Sequence, residues 1–281
     1  MILVAFLYGA RMKNLLGFAV LVVFLLLVIR YIESHSIFFP MKEISSTPDA
    51  VRLSYEDVYF TASDGTLLNG WYIPAQKPGA TLIFCHGNAG NISNRLDKAK
   101  VLHDLGQNVF LFDYRGYGRS KGSPSEAGVY RDAMAVYEYL TAKRKVSKSD
   151  IILYGESIGG AVAIEIARRV PVRALITEET FSSAKDMAKT AFPFIPYFLF
   201  SSRFDSLSKI KGITCPKLII HSVDDEIVPF RQGEALFAAA PRPKTFLKLR
   251  GSHNTVFFDS RDEFVRGIKS FLEELERQAL K

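Results

Sequence analysis

The chain has 281 residues, 48% of them hydrophobic and 23% charged, which is enough apolar material for one large core and excludes a disordered protein. Its net charge of +7 is compatible with a nucleic-acid partner, but the densest basic run, 142–149, contains no aromatic residues for base stacking. We therefore expect no nucleic-acid partner. Cys85 and Cys215 each stand beside an apolar run, which favours buried free thiols over a disulfide, and no metal-binding spacing occurs.

The N-terminal region contains an uncharged apolar stretch, "LLGFAVLVVFLLLVI" at 15–29, which Arg30 follows. The stretch is shorter than the ~20 residues that span a bilayer, but its neighbours extend it and the Arg30 side chain can reach the interface. We expect a single-pass transmembrane anchor over residues 1–32, with Phe38 and Phe39 at the membrane interface. A cleaved signal peptide is the alternative. The flanking basic residues favour the non-cytoplasmic side for the remainder of the chain.

A polar segment, 33–54, is expected to link this anchor to one folded domain over residues 55–281. Two segments in which apolar and polar residues alternate, "YEDVYFTA" and "LLNGWYIPA", flank Asp64-Gly65. They predict an antiparallel hairpin. Further along the chain, continuous apolar runs are each followed by a segment with helical spacing of apolar residues. This order predicts an α/β fold: a mostly parallel central sheet with helices on both faces. The predicted strands are "ATLIFCHG", "NVFLFDY", "DIILYG", "VRALIT", "PKLIIHSV" and "TFLKLR", and the predicted helices lie at about 93–105, about 126–142, after residue 157 and at about 260–279.

The motif G-x-S-x-G occurs at Gly155-Glu156-Ser157-Ile158-Gly159, between a predicted strand and a predicted helix. Such a pattern is often no more than a turn, but a strand, a sharp turn and a helix are the context of a nucleophile elbow. There, a serine is held in a strained backbone conformation above the sheet, and small neighbours let the strand and the helix approach each other. Ser157 is therefore the candidate nucleophile.

A serine hydroxyl needs an imidazole to accept its proton and a carboxylate to orient that imidazole. For a nucleophile elbow, the acid and then the histidine follow the serine along the chain. The acid candidates are Asp225 and, as the fallback, Asp224, both in the loop after "PKLIIHS". His253, in the segment "GSHNTVF" that directly follows "TFLKLR", satisfies the order. His86 precedes Ser157 and is expected to shape the turn in which it lies.

The oxyanion of an acyl-transfer intermediate needs two backbone N–H donors. One is expected from Ile158, the residue after the nucleophile, and the other from the loop "CHGNAGN" at 85–91, where Asn88 is the candidate. A second glycine-rich loop, "DYRGYGRSKG" at 113–122, has neither the dinucleotide nor the Walker spacing and predicts no phosphate site. We expect neither a cofactor nor a metal.

With "CHGNAGN", "FDYRGYGRSKGSPSE", "YGESIGGAVA", "CPKLIIHSVDDEIVPF" and "GSHN" in one order, the chain resembles the α/β-hydrolase superfamily over roughly residues 53–275. More narrowly, it resembles the membrane-anchored ABHD-type serine hydrolases and their bacterial relatives. Unlike relatives that remove palmitate from protein cysteines, it has no cysteine before Cys85. The resemblance implies an α/β-hydrolase fold with Ser157 as nucleophile, Asp225 as acid, His253 as base, and Asn88 and Ile158 as oxyanion donors.

The interval 181–212 leaves room for a small cap, whose middle, "FPFIPYFLF", is strongly apolar. If this segment lines the pocket, the natural substrate is an ester or thioester with an apolar acyl group. We therefore expect a serine hydrolase that acts on a small or lipid-like acyl substrate through an acyl-enzyme. A serine peptidase or amidase of the same fold, and a catalytically silent, membrane-tethered binding protein, remain open as alternatives.

Overall fold

The computed structural model describes residues 2–76, 79–191, 194 and 202–279. Ten strands occur in this part of the chain: β1 Phe39–Pro40, β2 Glu56–Thr61, β3 Leu67–Ile73, β4 Thr81–Cys85, β5 Ala89–Gly90, β6 Asn108–Asp113, β7 Ile151–Glu156, β8 Ala174–Glu178, β9 Lys217–Ser222 and β10 Lys244–Leu249. The same residues contain nine α-helices: α1 Ile2–Ile37, α2 Leu96–Asp104, α3 Glu126–Glu138, α4 Ile158–Arg169, α5 Ala184–Ala191, α6 Ser206–Ile210, α7 Phe230–Ala239, α8 Val256–Asp259 and α9 Arg261–Ala279.

Eight of the strands form one sheet in the order β10-β9-β8-β7-β4-β6-β3-β2. The six strands from β10 to β6 are parallel to their neighbours, whereas β3 runs antiparallel to both β6 and β2. Strand β4 is buried along its whole length because it lies in the middle of the sheet with both faces covered, so its sequence shows no alternation. Edge strand β2 alternates between exposed and buried side chains instead.

Helices cover both faces of the sheet and produce two hydrophobic clusters. One cluster contains side chains of α3, α4 and α7, such as Val136 and Val162, together with Leu153 of β7. The other contains side chains of α2 and α9, such as Phe264, together with Tyr154 of β7. Successive residues of a strand point to opposite faces, so adjacent residues of β7 belong to different clusters. This arrangement leaves the carboxyl ends of the parallel strands free to carry a site.

The predicted α/β fold with a mostly parallel sheet is confirmed. The hairpin is β2–β3, and the six other predicted strands are β4, β6, β7, β8, β9 and β10. The predicted helices correspond to α2, α3, α4 and α9, although α3 ends at Glu138 and continues as a π-helical turn, Tyr139–Lys143. The cysteines are free thiols, as predicted, with Cys85 buried and Cys215 partly buried.

Helix α7 is the main element that the sequence does not predict. Its buried residues are Gln232, Gly233 and Leu236, and the Phe237 ring stacks on that of Phe246 in β10. Helix α7 packs against β9 and β10 and covers part of one face of the sheet.

The residues predicted to form a transmembrane anchor, 1–32, lie largely in α1, Ile2–Ile37. Within the described ranges, no helix combines the length and the apolar character that crossing a membrane requires. The prediction of a transmembrane helix is therefore not supported.

Helix α9 closes one face of the sheet through Phe264, whose side chain is fully buried. We expect Phe264→Ala to lower the free energy of unfolding by about 3–5 kcal/mol, because the substitution leaves a cavity in the core. Phe258→Ala is the matched control, since the Phe258 ring is 60% exposed and its loss should change stability by about 0.5 kcal/mol or less. Urea unfolding of both variants measures the difference. Equal losses would mean that α9 does not close the core.

Candidate active site

Ser157 stands at a sharp turn between β7 and α4, with a φ of +54°. This conformation is strained for a residue with a side chain, and it requires the helix to pass very close to the sheet. A Cβ atom on Gly155 would lie 2.3 Å from the carbonyl oxygen of Gly159, and one on Gly159 would lie 2.0 Å from that of Cys85. Only glycine fits these two positions of the motif. The sequence G-x-S-x-G thus has the backbone geometry expected of a nucleophile elbow.

Three side chains from distant parts of the chain meet above the carboxyl ends of the strands. Nε2 of His253 lies 3.2 Å from Oγ of Ser157, and Nδ1 of the same ring lies 2.7 Å from Oδ2 of Asp225. The second carboxylate oxygen of Asp225 accepts hydrogen bonds from the backbone N–H groups of Ile227 and Val228, at 2.9 Å and 2.7 Å. These two bonds fix the carboxylate so that its other oxygen faces the imidazole.

Asp224, the fallback acid, has a different environment. Its carboxylate is half exposed, lies 3.5 Å from the Arg250 guanidinium and accepts a long hydrogen bond from the N–H of Gly251, at 3.4 Å. The Asp225 side chain is buried, and hydrogen bonds to His221 and His253 hold its pKa well below the usual range even though burial acts to raise it. Of the two acids, the structure brings Asp225 to the histidine.

Ser157 and His253 line a cavity of about 480 Å³. Most of the other lining side chains are apolar, and they come from four parts of the chain. They are Ile37 and Phe39 near the end of α1, Ile158 of α4, Phe181, Ala184, Met187, Ala188 and Phe204 around α5, and Ile227 and Val228 after β9. Of the segment 192–200, the structure describes only Phe194, so the predicted role of "FPFIPYFLF" lies outside the described residues.

The two expected oxyanion donors lie in the wall of the same cavity. Ile158 is the first residue of α4, so its N–H is one of those that a helix leaves without an intrahelical acceptor, at the positive end of the helix dipole. Asn88 lies in the loop between β4 and β5, and Gly87 lines the cavity beside it. The structure therefore places both residues beside Ser157.

The residues that follow α1 are hydrogen-bonded to this loop. Strand β1 pairs in parallel with β5. The Phe39 N–H donates to the Asn88 carbonyl oxygen at 3.2 Å, the Met41 N–H donates to that of Gly90 at 3.1 Å, and the Asn88 amide donates to the Ile37 carbonyl oxygen at 3.3 Å. We call residues 37–41 the N-terminal strap. It holds the loop that carries Asn88.

The strap changes the interpretation of the predicted linker, 33–54. Phe38, expected at a membrane interface, is buried instead, and its ring packs against Phe204 at 6.3 Å between centroids. Phe39 lines the cavity. The apolar run "IFFP" at 37–40, within this segment, is the signal that could have indicated burial, but a two-residue strand has no periodicity by which to recognise it.

His86 lies in the same loop and has the structural role expected of it. Its ring is completely buried, Nδ1 donates to the Gly87 carbonyl oxygen at 2.7 Å, and burial lowers the pKa of His86 to about 3. Asp113, 3.6 Å from its Nε2, is also buried, and burial raises the pKa of this carboxyl to about 7. His86 is thus a neutral ring that supports the loop.

The polar side of the cavity carries charges that balance one another. Glu156 lies 3.4 Å from Nε of Arg95 and 3.1 Å from Nζ of Lys98, and Lys98 also contacts Glu178 at 2.9 Å. Burial alone would raise the pKa of Glu156, but the Arg95 and Lys98 charges outweigh it and hold this pKa at about 2. Glu156 is therefore a paired carboxylate.

One cluster of potential metal ligands occurs in the described part of the chain, formed by Glu179, Asp225 and His253 with donor atoms within 4.8 Å of one another. The Asp225 carboxylate and the His253 imidazole already form a 2.7 Å hydrogen bond, which a metal ion would have to displace. We assign this cluster to hydrogen bonding.

The strap leads to a test by truncation. We expect a chain that lacks residues 2–32 to keep the reactivity of Ser157, because the strap remains. Removal of residues 2–41 should slow the labelling of Ser157 by a fluorophosphonate by about 10²-fold or more, since the Asn88 loop loses the bonds that hold it. Labelling kinetics measure the effect, and circular dichroism checks that both shortened chains are folded. Equal labelling rates in two folded chains would show that the strap does not position the loop.

Comparisons with known proteins identify the family and the fold. A family model described as "Serine aminopeptidase, S33" matches residues 76–190. An uncharacterized protein of Mycobacterium tuberculosis is 36% identical over 242 residues, which cover 85% of this chain and 86% of that protein. The alpha/beta hydrolase domain-containing protein WAV2 of Arabidopsis thaliana is 34% identical over 255 residues, which cover 83% of each chain.

A solved structure supports the same fold. The esterase Pf2001 of Pyrococcus furiosus matches with a TM-score of 0.71 at 21% identity, over 84% of this chain and 98% of the esterase. At that identity the likeness concerns the fold alone. Together with the relatives that are similar over most of their length and with the nucleophile elbow at Ser157, it leads to one assignment: the chain belongs to the α/β-hydrolase superfamily.

Proposed function

We propose that the protein is a serine hydrolase that cleaves carboxylic esters or thioesters with an apolar acyl group, through an acyl-enzyme at Ser157. One observation carries the proposal: the hydrogen-bonded series from Ser157 through His253 to Asp225 opens onto a mainly apolar cavity. A hydroxyl, an imidazole and an oriented carboxylate at these distances are the groups that nucleophilic acyl transfer needs.

In the proposed reaction, Nε2 of His253 accepts the hydroxyl proton of Ser157 while Oγ bonds to the acyl carbonyl carbon. The electron pair of the C=O bond moves onto oxygen, where the N–H groups of Ile158 and Asn88 would stabilise the negative charge. His253 then donates the proton to the leaving oxygen or sulfur as its bond to carbon breaks. A water molecule, deprotonated by His253, attacks the acyl-enzyme, and collapse of the second intermediate releases the acid and restores Ser157.

The lining of the cavity supports an apolar acyl group. Aliphatic and aromatic side chains surround Ser157 on the side of α5 and β9, including Phe181, Met187 and Val228. Each methylene group that such a surface removes from water contributes about 0.8 kcal/mol to binding. A chain of several methylenes would therefore gain more from this cavity than an acetyl group would.

A serine aminopeptidase is the second candidate, because the matching family model carries that description. An aminopeptidase must bind the ammonium group of a peptide, which calls for an unpaired carboxylate near the nucleophile. Among the described lining residues, Glu156 is the one carboxylate, and its charge is taken up by Arg95 and Lys98. This pairing favours the ester or thioester over the peptide.

The full chain should hydrolyse p-nitrophenyl esters, and Ser157→Ala should abolish this turnover without loss of fold. We expect kcat/KM to rise about fourfold for each added methylene until the acyl chain fills the cavity, because each buried methylene stabilises the complex. The series runs from acetyl to palmitoyl esters, with an alanine p-nitroanilide beside it. Faster hydrolysis of the anilide would favour a peptidase, and no difference from Ser157→Ala on any substrate would favour a catalytically silent fold.

Asp225→Asn should reduce kcat on the best of these esters by a factor on the order of 10⁴, because an amide cannot hold the imidazole in the required tautomer. Asp224→Asn is the matched control: its carboxylate is half exposed, and its loss should change kcat by about twofold or less. Steady-state kinetics compare the two variants. The reverse order would assign the acid role to Asp224.

A further inference from the structure

A second acidic side chain lies directly behind the proposed triad. Glu179 follows strand β8, is 1% exposed and has a φ of +49°, a conformation that costs energy for any residue but glycine. Four titratable groups face it from the elements packed around it: Asp225, His221, His253 and the adjacent Glu178. A buried acid held in a strained conformation beside another acid calls for a physical explanation.

The backbone holds the Glu179 carboxyl in one orientation. Its Oε1 accepts a hydrogen bond from the Ser222 N–H at 2.8 Å, and its own N–H donates to the Ile220 carbonyl oxygen at 3.0 Å. The other oxygen, Oε2, is buried and has no hydrogen-bond partner of ordinary geometry. Oε2 lies 3.6 Å from Nε2 of His221, which is also 3.5 Å from Oδ2 of Asp225. A carboxylate oxygen of Glu179 lies within 4.8 Å of one of Asp225.

Two carboxyl groups so close in a buried site cannot both carry a charge. Burial and the neighbouring Asp225 raise the pKa of Glu179 to about 11, whereas hydrogen bonds to His221 and His253 hold the pKa of Asp225 well below its usual range. Nε2 of His221 donates to the Val228 carbonyl oxygen at 2.8 Å and also lies 3.5 Å from Oδ2 of Asp225 and 3.6 Å from Oε2 of Glu179. The proton between the two acids therefore belongs to Glu179.

We propose that Glu179 is a positioning residue that donates a hydrogen bond from its neutral carboxylic acid to Asp225 and so keeps Asp225 ionised and aimed at His253. This inference rests on the proposed hydrolytic function, in which Asp225 orients the imidazole. A protonated acid fits the position because it has one donor for Asp225 and one acceptor for the Ser222 N–H. An ionised Glu179 would instead compete for the Nδ1–H of His253.

The side-chain amide of glutamine offers the same donor and acceptor without a proton to lose. We therefore expect Glu179→Gln to keep kcat and its pH profile close to those of the unaltered chain. Glu179→Leu removes the donor and should lower kcat about 10- to 100-fold with little change in KM, because the substituted residue does not line the substrate cavity. Glu234→Gln, which alters an exposed glutamate of α7, is the control for the loss of a surface carboxylate.

A second measurement does not depend on catalysis. A carboxyl whose pKa is raised by folding binds a proton that the unfolded chain has released, so its contribution to stability falls as pH rises from about 4.5 towards about 11. Glutamine has no such dependence. The Tm of Glu179→Gln minus the Tm of the unaltered chain should therefore increase between about pH 6 and about pH 9. The same difference for Glu234→Gln should stay constant over this range. Infrared spectra should also lose the band of one protonated carboxyl in Glu179→Gln.

Each failure has its own signature. A Tm difference for Glu179→Gln that does not change with pH would mean that Glu179 is ionised, and the inference would be overturned even if Glu179→Leu did not fold. Unchanged kcat in Glu179→Leu, or equal losses in the leucine and glutamine variants, would also overturn it. If the unaltered chain and Ser157→Ala show the same turnover, the hydrolytic function fails instead, and the pH dependence of Tm still decides the protonation of Glu179.

Discussion

The close approach of α4 to the sheet is the constraint on which the rest of the site depends. A Cβ atom on Gly160 would lie 1.8 Å from Oγ1 of Thr180, so the first turn of α4 tolerates no larger residue there. The strained Ser157 is tied to the neighbouring strand through its N–H, which donates to the Glu178 carbonyl oxygen at 2.8 Å. Burial of nearly all of α4 offsets this strain. The result is a hydroxyl raised above the strand ends, where the cavity opens.

Buried acids around this point are accommodated in two ways. On one side of Ser157, Glu156 and Glu178 both contact the ammonium group of Lys98, at 3.1 Å and 2.9 Å. On the other side, Glu179 lies beside His221 and Asp225 rather than beside a lysine or an arginine, and in our proposal it avoids the cost of a second buried charge by keeping its proton. In our proposal this leaves Asp225 as the buried negative charge that acts on the imidazole.

The N-terminal strap connects α1 to the chemistry of the site. The backbone N–H groups of Phe39 and Met41 donate hydrogen bonds to the loop that carries Asn88. These two bonds link the position of the end of α1 to the position of the expected oxyanion donor. The Tyr117 hydroxyl donates to the Asn88 carbonyl oxygen at 2.7 Å and holds the loop from a different element. The loop is therefore held on one side by the N-terminal strap and on the other by Tyr117, which lies in the domain that carries the sheet.

The sequence by itself determined the strands of the main sheet, the sharp turn at Ser157 and the candidate site residues Ser157, Asp225 and His253. Unbroken apolar runs predict buried strands wherever they occur, and the glycines around Ser157 predict a close approach, because both properties depend on residues that are neighbours in the chain. Spacing after successive strands was enough to select His253. These inferences required no knowledge of which distant residues touch.

Only the tertiary structure decided the rest. The sequence favours Asp225 with Asp224 as the fallback, and the fold shows the physical difference: Asp225 faces His253, whereas Asp224 faces Arg250. Glu179 looks like one more acid in "TEET" until folding places it against Asp225. The strap of residues 37–41 pairs with a loop about 50 positions further along the chain. Such contacts leave no local periodicity, because the partners meet only after the sheet has formed.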